Sequence, residues 1–189
     1  ITAGTLTGSA GSTITYLGAD GTVSVTVAEG TYGNLTINGA SDTFTLGNDI
    51  TVQGDLTITA GTLASGTKNI TLAGILNNSG IFNAGTGTVI FNKSSGVQTL
   101  NSGGSNFYAI THNAAGTLQL TTNNLTVTND FTNSAGGFDL DNKNWTMTNA
   151  TFSNNGGTVK LRGSEIVTGL AQDTTAGTWL YVGNPDGLA

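Results

Sequence analysis

Residues 33–58 read GNLTINGASDTFTLGNDITVQGDLTI, and this stretch repeats one short phrase: an apolar residue, Thr, an apolar residue, then Asn, Gly or Asp. The apolar pairs Leu35/Ile37, Phe44/Leu46, Ile50/Val52 and Leu56/Ile58 carry it, and Ile70/Leu72 and Val89/Phe91 continue it further on. Alternation with a period of two is the pattern of a strand with one buried face, and no stretch shows the 3.6-residue period of a helix. Gly, Asn, Asp and Ser between the pairs suit positive-φ corners. A three-residue strand cannot bury its apolar side alone. Chains that repeat one do so because stacked copies share a single apolar column.

The order implied by this pattern competes with a composition that superficially suggests disorder. Charged residues make up 8% of the chain, against roughly 25% in an average domain. Regular spacing of the 37% hydrophobic residues decides for an ordered all-β protein. The five basic residues, Lys68, Lys93, Lys143, Lys160 and Arg162, are scattered, and the net charge is −6. Nucleic-acid binding by phosphate neutralisation is therefore not expected. Apolar runs are too short for a membrane-inserted helix. The absence of Cys removes disulfides and thiolate chemistry and fits an exported protein. Residue 1 is Ile, so an export signal would have been removed or would lie outside the segment.

Sliding the sequence over itself by 75 places aligns Ile14 with Val89, Leu35 with Ile110, Ile50 with Leu125, Leu56 with Phe131 and Ile70 with Trp145. Beyond Met147 the offset becomes 70, aligning Val89 with Val159 and Phe91 with Leu161. The expectation is one β-solenoid over 1–189, made of a partial copy 1–38, a copy 39–113 and a copy 114–189. Three-sided turns of roughly 19 residues put four turns in each unit and about ten in the chain, with equivalent residues on one side of the rod. The structural alternative is an antiparallel β-sandwich.

The phrases GNLTING, NDITVQGDLTITAGTL, NNLTVTNDFTN and GGTVKLRGS resemble those of long repeat-rich bacterial surface proteins. These are right-handed parallel β-helices, including filamentous-haemagglutinin-like and autotransporter-type adhesins. Spacing that wanders between five and ten residues, rather than a hexapeptide beat, favours the right-handed form over the left-handed one. The resemblance implies an exported, cell-surface or filament-forming protein. It implies no ligand. The expected function is a non-catalytic structural or adhesive segment, without catalytic residues, cofactor or metal. Its partners would be further copies of the repeat, itself head to tail, or a cell-surface glycan. The alternatives are an ice-binding solenoid and a polysaccharide-active β-helix enzyme.

Each alternative singles out residues. Asp139 and Asp141 project to one side of a strand and with Asn142 or Asn144 offer oxygen ligands for Ca²⁺. The aligned positions one unit earlier are Ala64 and Gly66, so a solvated corner is the stronger reading. His112, the single His, aligns with Ile37 and reads as a wall or core residue. Lys160, Arg162 and Glu165 read as an exposed ion-pair face. Phe44, Phe91, Phe131, Phe138, Trp145 and Phe152 fall in inward phase. The pairs Thr43/Thr45, Thr57/Thr59, Thr126/Thr128 and Thr146/Thr148 suggest an ice-binding face only where they stack one coil apart, as Thr126 and Thr146 do by spacing. Asn34-Leu35-Thr36 and Asn69-Ile70-Thr71 match the glycosylation triplet, which an Asn corner before an alternating strand produces automatically. Corner Asn residues are instead expected to bond along the rod. Trp179 and Tyr181 lie where a last turn would be open, either lining it or forming a sugar platform. Both ends fall inside a copy. Either the chain is an excerpt of a longer solenoid, or Trp179, Tyr181 and Val182 dock near Leu6 of the next molecule in a non-closing contact.

Overall fold

In the computed structural model, which describes residues 5–18, 22–171 and 176–183, the strand pairs all run parallel, with partners 19 to 24 residues apart, as in Ile70 opposite Val89 and Leu76 opposite Leu100. Hairpin neighbours of a sandwich would pair antiparallel across a few residues, so the sandwich alternative is overturned. Parallel partners must be joined by a full circuit of chain. The phrases become strands of two to five residues, apart from the long strands Asn34–Leu46 and Leu56–Ala64. The chain is a parallel β-solenoid.

One side is an eight-stranded sheet from Leu6–Thr7 through Ile50–Val52, Ile70–Leu72 and Ala109–His112 to Thr151–Ser153. A second runs from Thr13–Tyr16 through Leu76–Asn78 and Gly137–Asp139 to Thr178–Tyr181. The third side changes character along the rod. At first it belongs to the second sheet, because the long strands bend round the corner at register shifts near Asn38, beside Ser41 with φ 69°. Later it is a separate sheet of Leu125–Val127, Trp145–Met147 and Val167–Thr168.

Among the described residues there are about eight coils where ten were expected, in part because most coils exceed 19 residues. Stacked at ~4.8 Å they give a rod of roughly 40 Å. One of the two widest circuits, with partners 24 residues apart, contains the loop between Thr88–Phe91 and Val97–Asn101. There Gln98, in inward phase and fully buried, donates to the carbonyls of Leu72 (2.8 Å) and Gly74 (2.6 Å) in the coil before.

The 75-residue alignment does not map onto the sides of the rod. Ile14 and Leu35 lie in the second sheet, whereas Val89 and Ile110, aligned with them, lie in the first. Ile50 is in the first sheet and Leu125 in the third. With coils near 20 residues, 75 places is three circuits plus two sides. All sides use the same alternation, so a match between different sides scores as well as one between equivalent sides.

Inside, like stacks on like. Ile50, Ile70, Val89, Ile110, Phe131 and Phe152 form one column, and Leu35, Leu56, Leu76, Leu100 and Leu120 another. All are buried. Burying a side chain of this kind stabilises by roughly 1.5–3 kcal/mol, which an isolated coil could not collect. The expected aromatics are inward: Trp145 touches Phe131, Phe138 and Phe152 edge-on, with centroids 4.8–5.3 Å away.

Corners carry the axial bonds. Asn34 Oδ1 accepts from the Asp55 N–H, and Asp55 Oδ1 from the Ile75 N–H (2.8 and 3.0 Å). Asp49 and Asn69 do the same for Asn69 and Thr88, and Asn124 and Asn144 for Asn144 and Ile166. Each bond pairs an N–H at or just before the start of a strand, where an unpaired donor would be costly. Gly61 turns one corner at φ 80°, and a Cβ there would collide with the Gly39 carbonyl oxygen.

Candidate functional site

The corner of Asp139 and Asp141 is not the solvated one expected, because Asp139 is 7% exposed and its carboxylate meets an arginine. Asp139 ends a strand whose register neighbour is Lys160, and the chain turns back at Asp141 and Asn142, which have φ of 46° and 60°. Arg162, 23 residues beyond Asp139, lies over this corner. Its Nη1 donates to Asp139 Oδ1, and its Nη2 reaches Asp139 Oδ2 at 3.2 Å and Asp141 Oδ1 at 3.1 Å. The guanidinium thus stands where a cation between the two carboxylates would sit. Its proton is held more tightly than usual, first by the hydrogen bond to Asp139 and against the effect of burial. Among the described residues no three His, Cys, Asp or Glu side chains are grouped to hold a metal.

Glu165 is a corner clamp rather than a partner in an exposed ion pair. Its carboxylate accepts from the N–H groups of Arg162, Gly163 and Asn142 at 2.8–3.1 Å. Burial alone would raise its pKa, but the backbone donors outweigh that and hold it below its ordinary value. The exposed ion-pair expectation is corrected here: Arg162 and Asp139 have side chains only 16% and 10% exposed.

His112 is a core residue, as its phase predicts. It is fully buried between Phe91 and Asn133, and its Nδ1 is 2.8 Å from Asn133 Oδ1. Asn133 Nδ2 donates to Asn154 Oδ1 at 2.9 Å, and Asn154 Nδ2 to the Thr178 carbonyl at 3.3 Å. A polar ladder therefore runs through four coils. Glycine at 157 leaves room for it, because a Cβ there would run into the Asn133 amide. Sequence reasoning did not single out Asn133, Asn154 or Gln98. Their signal was available: Asn133 and Gln98 are polar at inward positions of alternating strands, and Asn154 keeps the inward phase one residue past Thr151–Ser153.

The residues proposed for end-to-end contact lie at opposite ends. Leu6 is on the first strand of the eight-stranded sheet and packs on the core, while Trp179 and Tyr181 are on the last strand of the second. Trp179 points inward, with its ring 6.0 Å from Phe152, so it extends the core column. Tyr181 and Val182 are 70% and 50% exposed. Tyr181 stacks on buried Leu161 as Trp179 does on Val159, so both aromatics are in inward phase, and Tyr181 is exposed because it lies on the last strand of the second sheet.

Of the Thr pairs, Thr126 and Thr146 do stack, and Thr168 continues the row, with Thr168 Oγ1 donating to Thr146 Oγ1 at 3.1 Å. Thr43 faces Ser24 and Thr62 on the third side and Thr57 faces Thr36 on the second, so these pairs lie on different sides, as their spacing requires. A longer row lies elsewhere. On the outer face of the first sheet Thr7, Thr31, Thr51 and Thr71 follow one another, then Ile90, Thr111, Thr132 and Ser153. It is made of single Thr residues, which a search for Thr-x-Thr passes over.

No family model matches this chain, and neither a curated protein nor a solved structure matches it. The arrangement binds coil to coil: carboxylates, amides, the imidazole and the guanidinium hydrogen-bond along the axis and hold the rod.

Proposed function

We propose that this chain is a non-catalytic structural or adhesive segment of a bacterial extracellular protein, at the cell surface or in a filament. The carrying observation is the direction of its polar bonds. The His112–Asn133–Asn154 ladder, the Asn34–Asp55 corner and the Arg162–Asp139 pair each join one coil to the next. Groups so fixed stiffen a rod, whereas acid–base catalysis needs groups facing a substrate. The resemblance to filamentous-haemagglutinin-like and autotransporter-type adhesins supports the surface location. Partners on this reading are further copies of the repeat or the same chain head to tail, through Leu6 at one end and Tyr181 and Val182 at the other.

A polysaccharide-cleavage screen with and without Ca²⁺ tests the class, and no turnover is expected. Robust turnover lost in Asp141→Ala would overturn the reading. Beads coated with the purified segment, compared with beads coated with an unrelated protein for retention on cell layers, test adhesion. Sedimentation and electron microscopy test end-to-end assembly, which Val182→Lys is expected to abolish.

The second reading is ice binding, favoured by the Thr row on the first sheet. Thermal hysteresis of the purified chain, lost in Thr51→Lys, would establish it.

A further inference from the structure

A cavity of about 540 Å³ opens on the third side where its early and late halves meet. The strand Ile81–Asn83 pairs on one edge with Leu56–Ala64, and among the described residues no strand pairs with its other edge. The next circuit passes there as the segment around Asn106 to Tyr108, which makes only an isolated bridge, from Phe107 to Val127. A lengthened circuit leaves the two halves out of step, and the cavity lies between them.

Its chemistry is specific. The rings of Phe82 and Phe107, 5.2 Å apart, lie buried beneath it in the core. Ile81, 57% exposed, and half-buried Tyr108 provide apolar wall. The exposed amides of Asn83 and Asn106 and the hydroxyl of Thr128 stand around it. None of the ten lining residues carries a carboxylate, ammonium or guanidinium group. A charged ligand would find no counter-charge there to offset the water it gives up. A ligand with an apolar ring face and a rim of hydroxyls matches both surfaces, and the volume lies within the range of about 300–1,000 Å³ usual for small-molecule sites.

The walls are also fixed in place. Buried Asn78 donates to the Ser102 carbonyl (2.8 Å) and to Ser105 Oγ (3.1 Å), tying the passing segment to the coil before it. Ser65 Oγ donates to the Ala84 carbonyl at 2.6 Å and holds the chain just beyond Ile81–Asn83 from the other side. Ser105 Oγ also accepts from the Phe82 N–H at 3.0 Å. That bond decides against an added peptide strand, which would need the same donor in the middle of the open edge.

We propose that this cavity is a binding site for an uncharged saccharide, with the Tyr108 and Ile81 side chains against a sugar ring and the Asn83 and Asn106 amides on its hydroxyls. The proposal deepens the adhesive reading and rests on it only for where such a sugar would be met. Binding is read on purified protein with free sugars, so it can fail while the structural role stands.

The test titrates the 189-residue chain with glucose, galactose, mannose, N-acetylglucosamine, maltose and lactose, with glucuronate and glucosamine as charged controls. Amide shifts are followed by NMR. A neutral sugar is expected to move the Asn83, Asn106 and Tyr108 amides, with the charged analogues weaker. Tyr108→Ala should weaken binding about tenfold, equivalent to about 1.4 kcal/mol. Asn106→Leu, on the exposed rim, gives a second variant should Tyr108→Ala fail to fold, and Thr51→Ala on the far sheet should change nothing. No groove response to any neutral sugar, binding unchanged in Asn106→Leu, or a response only to an extended peptide would overturn the proposal.

Discussion

His112 Nδ1 lies 2.8 Å from Asn133 Oδ1 one coil further on, and both side chains are fully buried in the solenoid core. The pair makes the interior of the rod sensitive to protons. Burial lowers the His112 pKa, and the Asn133 bond only partly opposes this. Above the ordinary value of 6.5 the imidazole is neutral in both states, and its contribution to stability is intact. As pH falls below 6.5 the unfolded chain takes up the proton first, so stability declines until pH reaches the lowered folded value. Urea midpoints should fall from about pH 7.5 to about pH 5.5, and His112→Gln should flatten that decline. An equal slope in the variant would contradict the assignment.

Glu165 supplies a second, more acidic window. Its folded pKa is lowered by backbone donors despite burial, so its contribution is present above about pH 4.5 and is lost as pH falls through the lowered value. Glu165→Gln should lower the midpoint more at about pH 6 than at about pH 3. A loss of the same size at both pH values would show a role independent of charge.

Arg162→Met leaves Asp139 under cover without its guanidinium. Both side chains keep some contact with water, so the cost is placed below the roughly 3–5 kcal/mol of fully buried pairs, at about 1–3 kcal/mol. Adding Asp139→Asn should recover much of it, as read by a double-mutant cycle in urea. Additive losses would mean that the two residues act independently.

Trp145 stands at the centre of the aromatic column, and its Nε1 has no hydrogen-bond partner among the described residues. Trp145→Ala should cost about 3–5 kcal/mol by opening a cavity. Trp145→Phe should cost far less, because it keeps edge-on ring contacts and removes an unpaired donor. Equal losses for the two variants in thermal unfolding would count against this packing argument.

Two corner glycines separate backbone strain from collision. Gly66 has φ 61° and open space where a methyl group would stand, whereas Gly61 combines φ 80° with the Gly39 carbonyl in the way. Gly66→Ala should cost about 1–2 kcal/mol for left-handed backbone alone. Gly61→Ala should cost clearly more, and similar melting temperatures for the two would refute the distinction.

The alternation of apolar residues with Thr or Asn determined, by itself, that this chain is made of short strands with one buried side. It also determined which residues face inward: Phe44, Phe131, Trp145 and even His112 lie where their phase puts them. Phase is a local property set by the period of two, so sequence carries it directly. Which sides stack is not local. Every side uses the same phrase, so the 75-residue alignment joined Ile14 to Val89 although they belong to different sheets. The coil count failed for a related reason, since the length of a circuit depends on corners such as the loop after Phe91, whose residues carry no periodic signal. The Arg162–Asp139 pair and the Asn133 and Asn154 ladder join residues 21 to 23 apart, and they become neighbours only once the circuit closes. The cavity between Asn83 and Asn106 is further still from local sequence, because it exists only where two halves of the rod meet out of step. Tertiary structure alone decided these contacts, because parallel stacking brings together residues a full circuit apart, at a distance fixed by the sum of all the corners between them.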